Sequence, residues 1–388
     1  MLVSDFLSMR KVKIKQRDDE VSCTTSVKHS KDKRKKKMIN QYKIIKTLGE
    51  GAFATVKLCK DTESGDLFAI KQMNKRSLMK KAQGQGKSAY DCVLEELKVM
   101  KRLKHHNIIW LHEIIDDPNE DFLYLVTEYH SKGSLGQQLE IINKNRKKKI
   151  GLNIAKIRLY FQDMLKALHY CHKIIKVIHR DIKPDNIMIN HNDEAVLIDF
   201  GVSALVDNQE NDKLKDSMGT YLYYAPEMFV DASGKKNILG ERTDMWALGI
   251  TFYELITGVH PFIYATNELA LKDAILNDPI DFEKIKSKQV RPIIERLLRK
   301  DANERGTIET CLKSAWVTKN GTEEIDLTVM DYEPQFLVTK KENQMQKQQT
   351  IQFGNLKRLV TMRRGDSDKH LDKLDKKEES SESSTKMK

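Results

Sequence analysis

The sequence predicts an α+β fold in two lobes, a small strand-rich lobe followed by a larger helical one, with a cleft between them of the kind ligands favour. Three observations carry this. Short apolar runs broken by turn residues fill residues 42–130. Beyond Gly133 the apolar spacing changes to three and four. Both ends of the chain lose hydrophobic periodicity and fill with charge.

In order along the chain, residues 1–41 are a basic arm, with twelve Lys or Arg against five Asp or Glu, expected to be disordered. Its start, MLVSDFLSMRK, is a poor signal peptide, with an acid inside a short apolar stretch. From Tyr42, YKIIKTLGEG, ATVKLCK and DLFAIKQM read as strands, with DTESG as a turn. Residues 88–104 place Val93, Leu97, Met100 and Leu103 at helical spacing. NIIWLHEII and FLYLVTEY are two further strands. In the second lobe, Ile157, Phe161, Met164, Leu165 and Leu168 form one apolar face. WALGITFYELITG is apolar nearly all round and reads as a buried helix, and RPIIERLLRK as another. After Trp316 the composition turns polar, and from Asp366 it is charged and serine-rich.

Composition excludes several classes. No run of eighteen apolar residues occurs, so no helical membrane span is expected. Cys23, Cys59, Cys92, Cys171 and Cys311 are isolated, which argues for reduced thiols and against a zinc ribbon or disulfide framework. Of the net charge of +12, the arm holds +7, so nucleic-acid binding is not required. KHSKDKRKKK (28–37) reads as a solvated segment, with nuclear targeting or an acidic partner as alternatives. The cytoplasm is the expected compartment, with nuclear entry through 28–37.

The chemistry lies in five short stretches. Gly49-Glu50-Gly51-Ala52-Phe53-Ala54 sits between two strands, where glycines let backbone N–H groups approach phosphate oxygens. Phe68-Ala69-Ile70-Lys71 puts a lysine on an apolar strand, where it needs an anion. Alone, each is weak: the glycines suit any hairpin turn, and the lysine suits a surface stem. His179-Arg180-Asp181-Ile182-Lys183-Pro184-Asp185-Asn186, then Asp199-Phe200-Gly201, then Ala225-Pro226-Glu227 complete an ordered set with its own mechanics.

On these motifs, residues 42–317 resemble a protein-kinase catalytic domain over its whole length. The resemblance implies an N-lobe (42–130) with a five-stranded antiparallel sheet plus one helix, a mainly helical C-lobe (131–317), and a regulatory or disordered tail (318–388). It implies ATP and Mg²⁺ as cofactors and protein serine or threonine as substrate. Asp181 would orient the substrate hydroxyl and accept its proton. Asn186 and Asp199 would hold the metal, whose preference is for oxygen ligands. Lys71, held by Glu96, would neutralise the α- and β-phosphates. Lys183 is the serine/threonine-type residue and would share a hydrogen bond with Thr220. Leu48, Gly49, Gly51, Val56 and Ala69 would cover the nucleotide and Met188 would lie below it. Thr127 would be a small gatekeeper, and backbone at Glu128 and His130 would meet adenine. Glu227 would pair with Arg305, and Asp244 would brace the catalytic loop. Arg180 implies control by activation-loop phosphate, with Ser217 the natural acceptor. One departure is Ala54 at the third glycine position. A kinase-shaped scaffold without transfer is the rival class, and the complete set Lys71, Glu96, Asp181, Asn186 and Asp199 argues against it.

DDPNEDFLYLV (116–126), YFQDMLKALHYCH (160–172), IIKVIHRDIKPDN (174–186) and SAWVTKNGTEEI (314–325) look like calcium/calmodulin-dependent protein kinase kinases and their yeast relatives, upstream activators of AMP-activated and related kinases. Those kinases carry a Pro-containing insert where residues 72–90 here are basic and proline-free. That stretch and KNRKKK (144–149) read as solvated insertions, with docking of acidic substrate surfaces as the alternative. In the tail, IQFGNLKRLVTMRR (351–364) spaces Phe353, Leu356 and Val360 among basic residues, a calmodulin-target-like or autoinhibitory pattern that Gly354 weakens, with membrane-surface binding and plain disorder as alternatives.

Overall fold

A computed structural model describes residues 21–32, 37–51, 54–81, 88–200, 204–205, 221–230 and 240–327. The first lobe is organised by five antiparallel strands, β4 (Tyr42–Glu50), β5 (Ala54–Asp61), β6 (Leu67–Asn74), β7 (Leu111–Asp116) and β8 (Phe122–Glu128). Local chemistry sets the turns. Between β5 and β6, the Asp61 carboxylate accepts from the amides of Glu63 and Ser64 at 2.7 and 3.3 Å, and Gly65 takes φ +86° where a Cβ would be strained.

Three short strands extend this sheet: β1 (Ser22–Thr24), β2 (His29–Lys31) and β3 (Lys37–Ile39). The order is β1-β7-β8-β6-β5-β4-β3-β2, and β1 runs parallel to β7. In a flat sheet the two edges would stand roughly 34 Å apart at about 4.8 Å per strand. The chain from Thr24 to His29 reaches at most ~18 Å. The sheet therefore curls until its edges are neighbours, and residues 25–28 bridge the seam. This corrects the expectation that residues 1–41 are disordered: 21–32 and 37–41 are built into the lobe. The strands are three residues long, SCT and HSK are polar and KMI buries Ile39 alone, so none carries a periodic apolar face that hydrophobic pattern could reveal. It also corrects a sheet of five strands to one of eight.

Two helices, not one, accompany the sheet. α1 (Lys75–Lys80) starts at an N-cap where Asn74 accepts from the Ser77 amide, and it buries Lys75 and Leu78. Lys75 Nζ donates to Asp116 at 2.9 Å and to the Asp117 carbonyl at 2.6 Å. This part of the basic 72–90 stretch is thus ordered structure and not a solvated insertion; residues 82–87 lie outside the described residues. α2 (Ala89–Met100) opens on a capping box between Ser88 and Asp91 and buries Val93, Leu97 and Met100, as their spacing predicts.

The second lobe is helical: α3 (Leu135–Asn143), α4 (Ile154–His169), α5 (Glu227–Val230), α6 (Gly240–Thr257), α7 (Glu268–Asn277), α8 (Arg291–Leu297) and α9 (Ile308–Leu312). The predicted face of α4 is fully buried, with the Phe161 ring 4.8 Å from Phe252 and 5.5 Å from Trp316. α6 is buried nearly all round, as its composition predicts, and a Cβ at Gly249 would press into Leu297 and Leu298. Short strands β9 (Val177–Ile178), β10 (Ile187–Ile189), β11 (Ala195–Leu197) and β12 (Ala204–Leu205) carry the loops that face the first lobe. After α9 the chain is latched to α4: Arg158 Nη1 meets Glu323 Oε2 at 2.5 Å, and Gln162 donates to the Val317 carbonyl at 2.6 Å. Residues 144–149 are exposed, in line with a solvated run. Among the described residues, no helix is long and apolar enough to cross a membrane.

Candidate active site

The loop after β9 is held from below by one buried carboxylate. Asp244, on α6, accepts from the His179 amide at 2.9 Å and the Arg180 amide at 2.8 Å, and lies 2.7 Å from His172 Nε2. Burial disfavours its charge, but the His172 hydrogen bond, the neighbouring histidines and the backbone donors outweigh that and hold its pKa below the usual range. Arg180 is pulled into a left-handed conformation, φ 68°, which a non-glycine residue adopts only at a cost. Burial keeps His179 neutral by lowering its pKa. The neutral ring fits its contacts: the Asp181 amide donates to Nδ1 at 3.2 Å, Nε2 lies 3.1 Å from the Ile198 carbonyl, and Phe200 packs edge-on at 4.7 Å.

This clamp presents Asp181. Lys183 Nζ reaches both its carboxylate oxygens, at 2.9 and 2.7 Å. Asn186, on a single 3₁₀ turn (Pro184–Asn186), donates its amide to the Asp181 carbonyl at 2.9 Å and to Oδ2 at 2.7 Å. With its NH₂ so engaged, the Asn186 amide oxygen is the atom available to a cation. Asp199 lies two residues beyond the end of β11, also in a left-handed conformation at φ 63°. Asp181, Lys183 and Asn186 are therefore one connected group.

On the other side of the cleft, β6 carries Lys71 and α2 carries buried Glu96. The expected direct pair between them is corrected: among the described residues, the ion pair of Lys71 is with Asp199 Oδ1, at 3.5 Å. Burial works against the Lys71 ammonium, yet the charges of Asp199 and Glu96 outweigh it and raise its pKa. Burial raises that of Glu96, with Lys71 partly offsetting. The ammonium thus answers to two carboxylates and has closed on the one at the cleft floor.

Strand register sets the expected cleft-roof residues side by side. Val56 pairs in register with both Gly49 and Lys71, and Ala69 with Thr127, whose hydroxyl donates to the Ala69 carbonyl at 3.4 Å. Leu48 is exposed, and a Cβ at Gly49 would meet nothing within 4 Å, so backbone there is open to a ligand. Gly51 is nearly as open, its Cβ meeting only the Ala54 carbonyl at 3.6 Å. Glu128 accepts from the Trp110 amide at 3.0 Å, with buried His130 beside it. Met188 on β10 lies opposite, bridged to Ser134. Ser217, Thr220, Gly201 and the 351–364 segment lie outside the described residues, so the bond expected between Lys183 and Thr220 does too.

Among the described residues no cluster of three or more His, Cys, Asp or Glu is arranged for a metal. A magnesium ion held by one or two protein oxygens, with phosphates and water completing the shell, needs none, and the oxygen donors of Asn186 and Asp199 fit it. The expected Glu227–Arg305 pair is present and bidentate, at 2.6 and 2.8 Å, with the guanidinium 5.2 Å from the Trp246 ring centroid. Sequence reasoning missed His172 as a partner of Asp244. It also missed the hydrogen bond from the Tyr223 hydroxyl to Glu254, 2.8 Å, beside the loop. Both join residues far apart in the chain, and no local spacing announces them.

The family model for the protein kinase domain matches residues 42–317. A probable serine/threonine-protein kinase of Dictyostelium discoideum is 35% identical over 288 residues, 74% of this chain and 39% of that one. The calcium/calmodulin-dependent protein kinase kinase of Caenorhabditis elegans is 32% identical over 73% of this chain and 54% of its own length. The serine/threonine-protein kinase ssp1 of Schizosaccharomyces pombe is 34% identical over 77% and 46%. The matched region is thus about half, or less, of these relatives.

Proposed function

The chain belongs to the protein kinase family and is a protein serine/threonine kinase, and from that premise we propose that it is an upstream kinase, phosphorylating the activation loops of AMP-activated-type kinases. The observation that carries this is the likeness to the C. elegans calcium/calmodulin-dependent protein kinase kinase, which the stretches 116–126, 160–172, 174–186 and 314–325 had suggested.

Membership of the family implies ATP and a divalent metal, generally Mg²⁺. Bound Mg²⁺ supplies charge neutralisation at the transferring phosphoryl group. Asp181 orients the acceptor hydroxyl and takes its proton. Lys183, pinned to Asp181, adds positive charge where the γ-phosphoryl passes. Asn186 and Asp199 supply the metal's protein oxygens. Lys71, with the carboxylates of Asp199 and Glu96 as its charged neighbours, would receive the α- and β-phosphates. Leu48, Gly49, Gly51, Val56, Ala69, Thr127, Glu128, His130 and Met188 enclose the nucleotide. Arg180 clamps a phosphate at Ser217. Residues 42–317 are the catalytic domain and 318–388 a regulatory tail that binds calmodulin near 351–364. The chain works in the cytoplasm.

A second reading, a kinase of the same branch with other substrates, is favoured by the proline-free stretch where α1 lies. Both are tested by phosphate transfer to an inactive AMP-activated kinase catalytic domain, with and without Ca²⁺/calmodulin, wild type against Asp181→Asn. Transfer to the activation-loop threonine, lost in the variant, is expected. Autophosphorylation abolished by Asp181→Asn, with no transfer to that target, would leave the second reading standing.

A further inference from the structure

The arm that closes the sheet seam converges on one residue of β7. Glu113 is 5% exposed. One carboxylate oxygen accepts from the Thr24 hydroxyl on β1; the other accepts from the Tyr42 hydroxyl on β4, 2.5 Å, and from the Gln41 side-chain NH₂ at 3.4 Å. Three neutral donors, two from the arm and one from the start of β4, thus meet on one carboxylate. Around it the seam is laced by backbone. The Asn40 side chain accepts from the Lys28 amide at 2.8 Å and donates to the Ser26 carbonyl at 3.1 Å, while the Asn40 amide donates to the Lys28 carbonyl at 3.0 Å.

The end of the same strand is where the catalytic helix is tethered. The Asp117 carboxylate accepts from the Val27 amide of the arm at 3.0 Å. Its neighbour Asp116 takes Lys75 Nζ at 2.9 Å and the Tyr90 hydroxyl, on α2, at 3.4 Å. Six residues further along α2 stands Glu96, which acts on Lys71. The arm and α2 therefore share β7 as a common seat.

We propose that residues 21–32 and 37–41 act as a strap whose closure on Glu113 seats β7 and, through it, α2, so that Glu113 is a positioning residue for phosphoryl transfer. The carboxylate touches neither nucleotide nor acceptor; it acts by fixing the strand against which the helix bearing Glu96 is tied. A strand at a sheet edge bonded on one side alone is free to shift, and the strap supplies its second side. Energy couples between such sites through contiguous packed and hydrogen-bonded elements.

The test is Glu113→Gln in the full chain. The amide has nearly the same shape but no charge, so the bonds from Thr24, Tyr42 and Gln41 lose their charge assistance, and a hydroxyl facing the new NH₂ must turn round to accept. Two readouts are taken at 10 °C: hydrogen exchange of the segment containing Ser22–Thr24, and kcat and ATP KM on a generic serine/threonine peptide. Faster exchange in 22–24 with kcat lowered about 3- to 30-fold, and ATP KM changed less, is expected from a coupling of this size. Opened exchange with wild-type kcat would make the strap only a stabilising element and overturn the proposal, as would exchange unchanged from wild type. Thr24→Val and Asn40→Gly loosen the seam while leaving Glu113 in place, and the glycine also accepts the φ of 49° at residue 40. Should Glu113→Gln not fold, these two carry the same measurements with the same expected and contrary results.

Discussion

Replacing Asp244 by asparagine tests whether the catalytic loop is held by charge or merely by packing. Three donors converge on the two oxygens: His172 and the His179 amide on Oδ2, the Arg180 amide on Oδ1. An asparagine keeps one oxygen. If its NH₂ takes the Oδ1 place, the Arg180 amide faces a donor. If it takes the Oδ2 place, His172 can change tautomer but the His179 amide cannot. Either way one buried backbone N–H of the loop is stranded, at about 1–3 kcal/mol, and a charge-assisted bond worth about 1.5–3 kcal/mol is lost. The expected loss is therefore about 2.5–6 kcal/mol. Arg180, strained at φ 68°, is the first place the backbone relaxes, and it precedes Asp181. A displacement of ~1 Å there costs about 100-fold in rate. Urea unfolding followed by circular dichroism reports the stability, and kcat at 10 °C under saturating ATP reports the geometry. A variant destabilised as expected yet within twofold of wild-type kcat would refute the bracing role.

Three further outcomes follow from buried charge. Arg305→Met should cost about 3–5 kcal/mol in urea unfolding, because it leaves Glu227 and the carbonyls of Arg299 and Arg242 facing an apolar chain; a loss under 1 kcal/mol would count against this. Burial pushes His260 down to about 4, only partly offset by its bond to the Leu222 carbonyl. With the folded value depressed, the unfolded chain binds the extra proton, so its contribution is complete above pH 6.5 and is lost as pH falls toward 4; His260→Gln should flatten the stability profile there by up to ~1.4 kcal/mol per pH unit. Asp163 is raised to about 6, chiefly by burial. The sign is opposite: the folded state holds its proton longer, so stability drops as pH rises from about 4 to 6. Asp163→Asn, which keeps an acceptor for the Ala195 amide at 2.9 Å, should gain up to ~3 kcal/mol above pH 6 and nothing near pH 4; a gain independent of pH would refute it.

Much of this was legible in the sequence because the relevant signals are local. The apolar faces of α2 and α4, the all-round burial of α6 and the strands β4 to β8 follow from spacing, and the cleft residues come in short motifs. Glu227 with Arg305, and Asp244 under the loop, were reached only through family resemblance, since nothing in the spacing joins them. The strap escaped because HSK and SCT bury no apolar stripe; what holds them is main-chain pairing and the polar groups of Asn40 and Glu113, which are set by the curl of the whole sheet. The contact of Lys71 with Asp199 in place of Glu96 also lay beyond reach: a motif names the charges around a lysine but not which one it closes on.

The curl has a consequence for how molecules of this protein meet one another. An open sheet offers unpaired amides and carbonyls at each border, a template on which a second chain can add a strand. Here the borders face each other across a four-residue bridge, and each is capped by a strand of three residues, one ending in Lys31. The six-residue strand Leu111–Asp116, the natural target for such pairing, is already covered by β1. Loosening the seam would therefore expose it, and copies of the chain would be drawn to associate edge to edge, a liability in solution that is separate from any loss of catalysis.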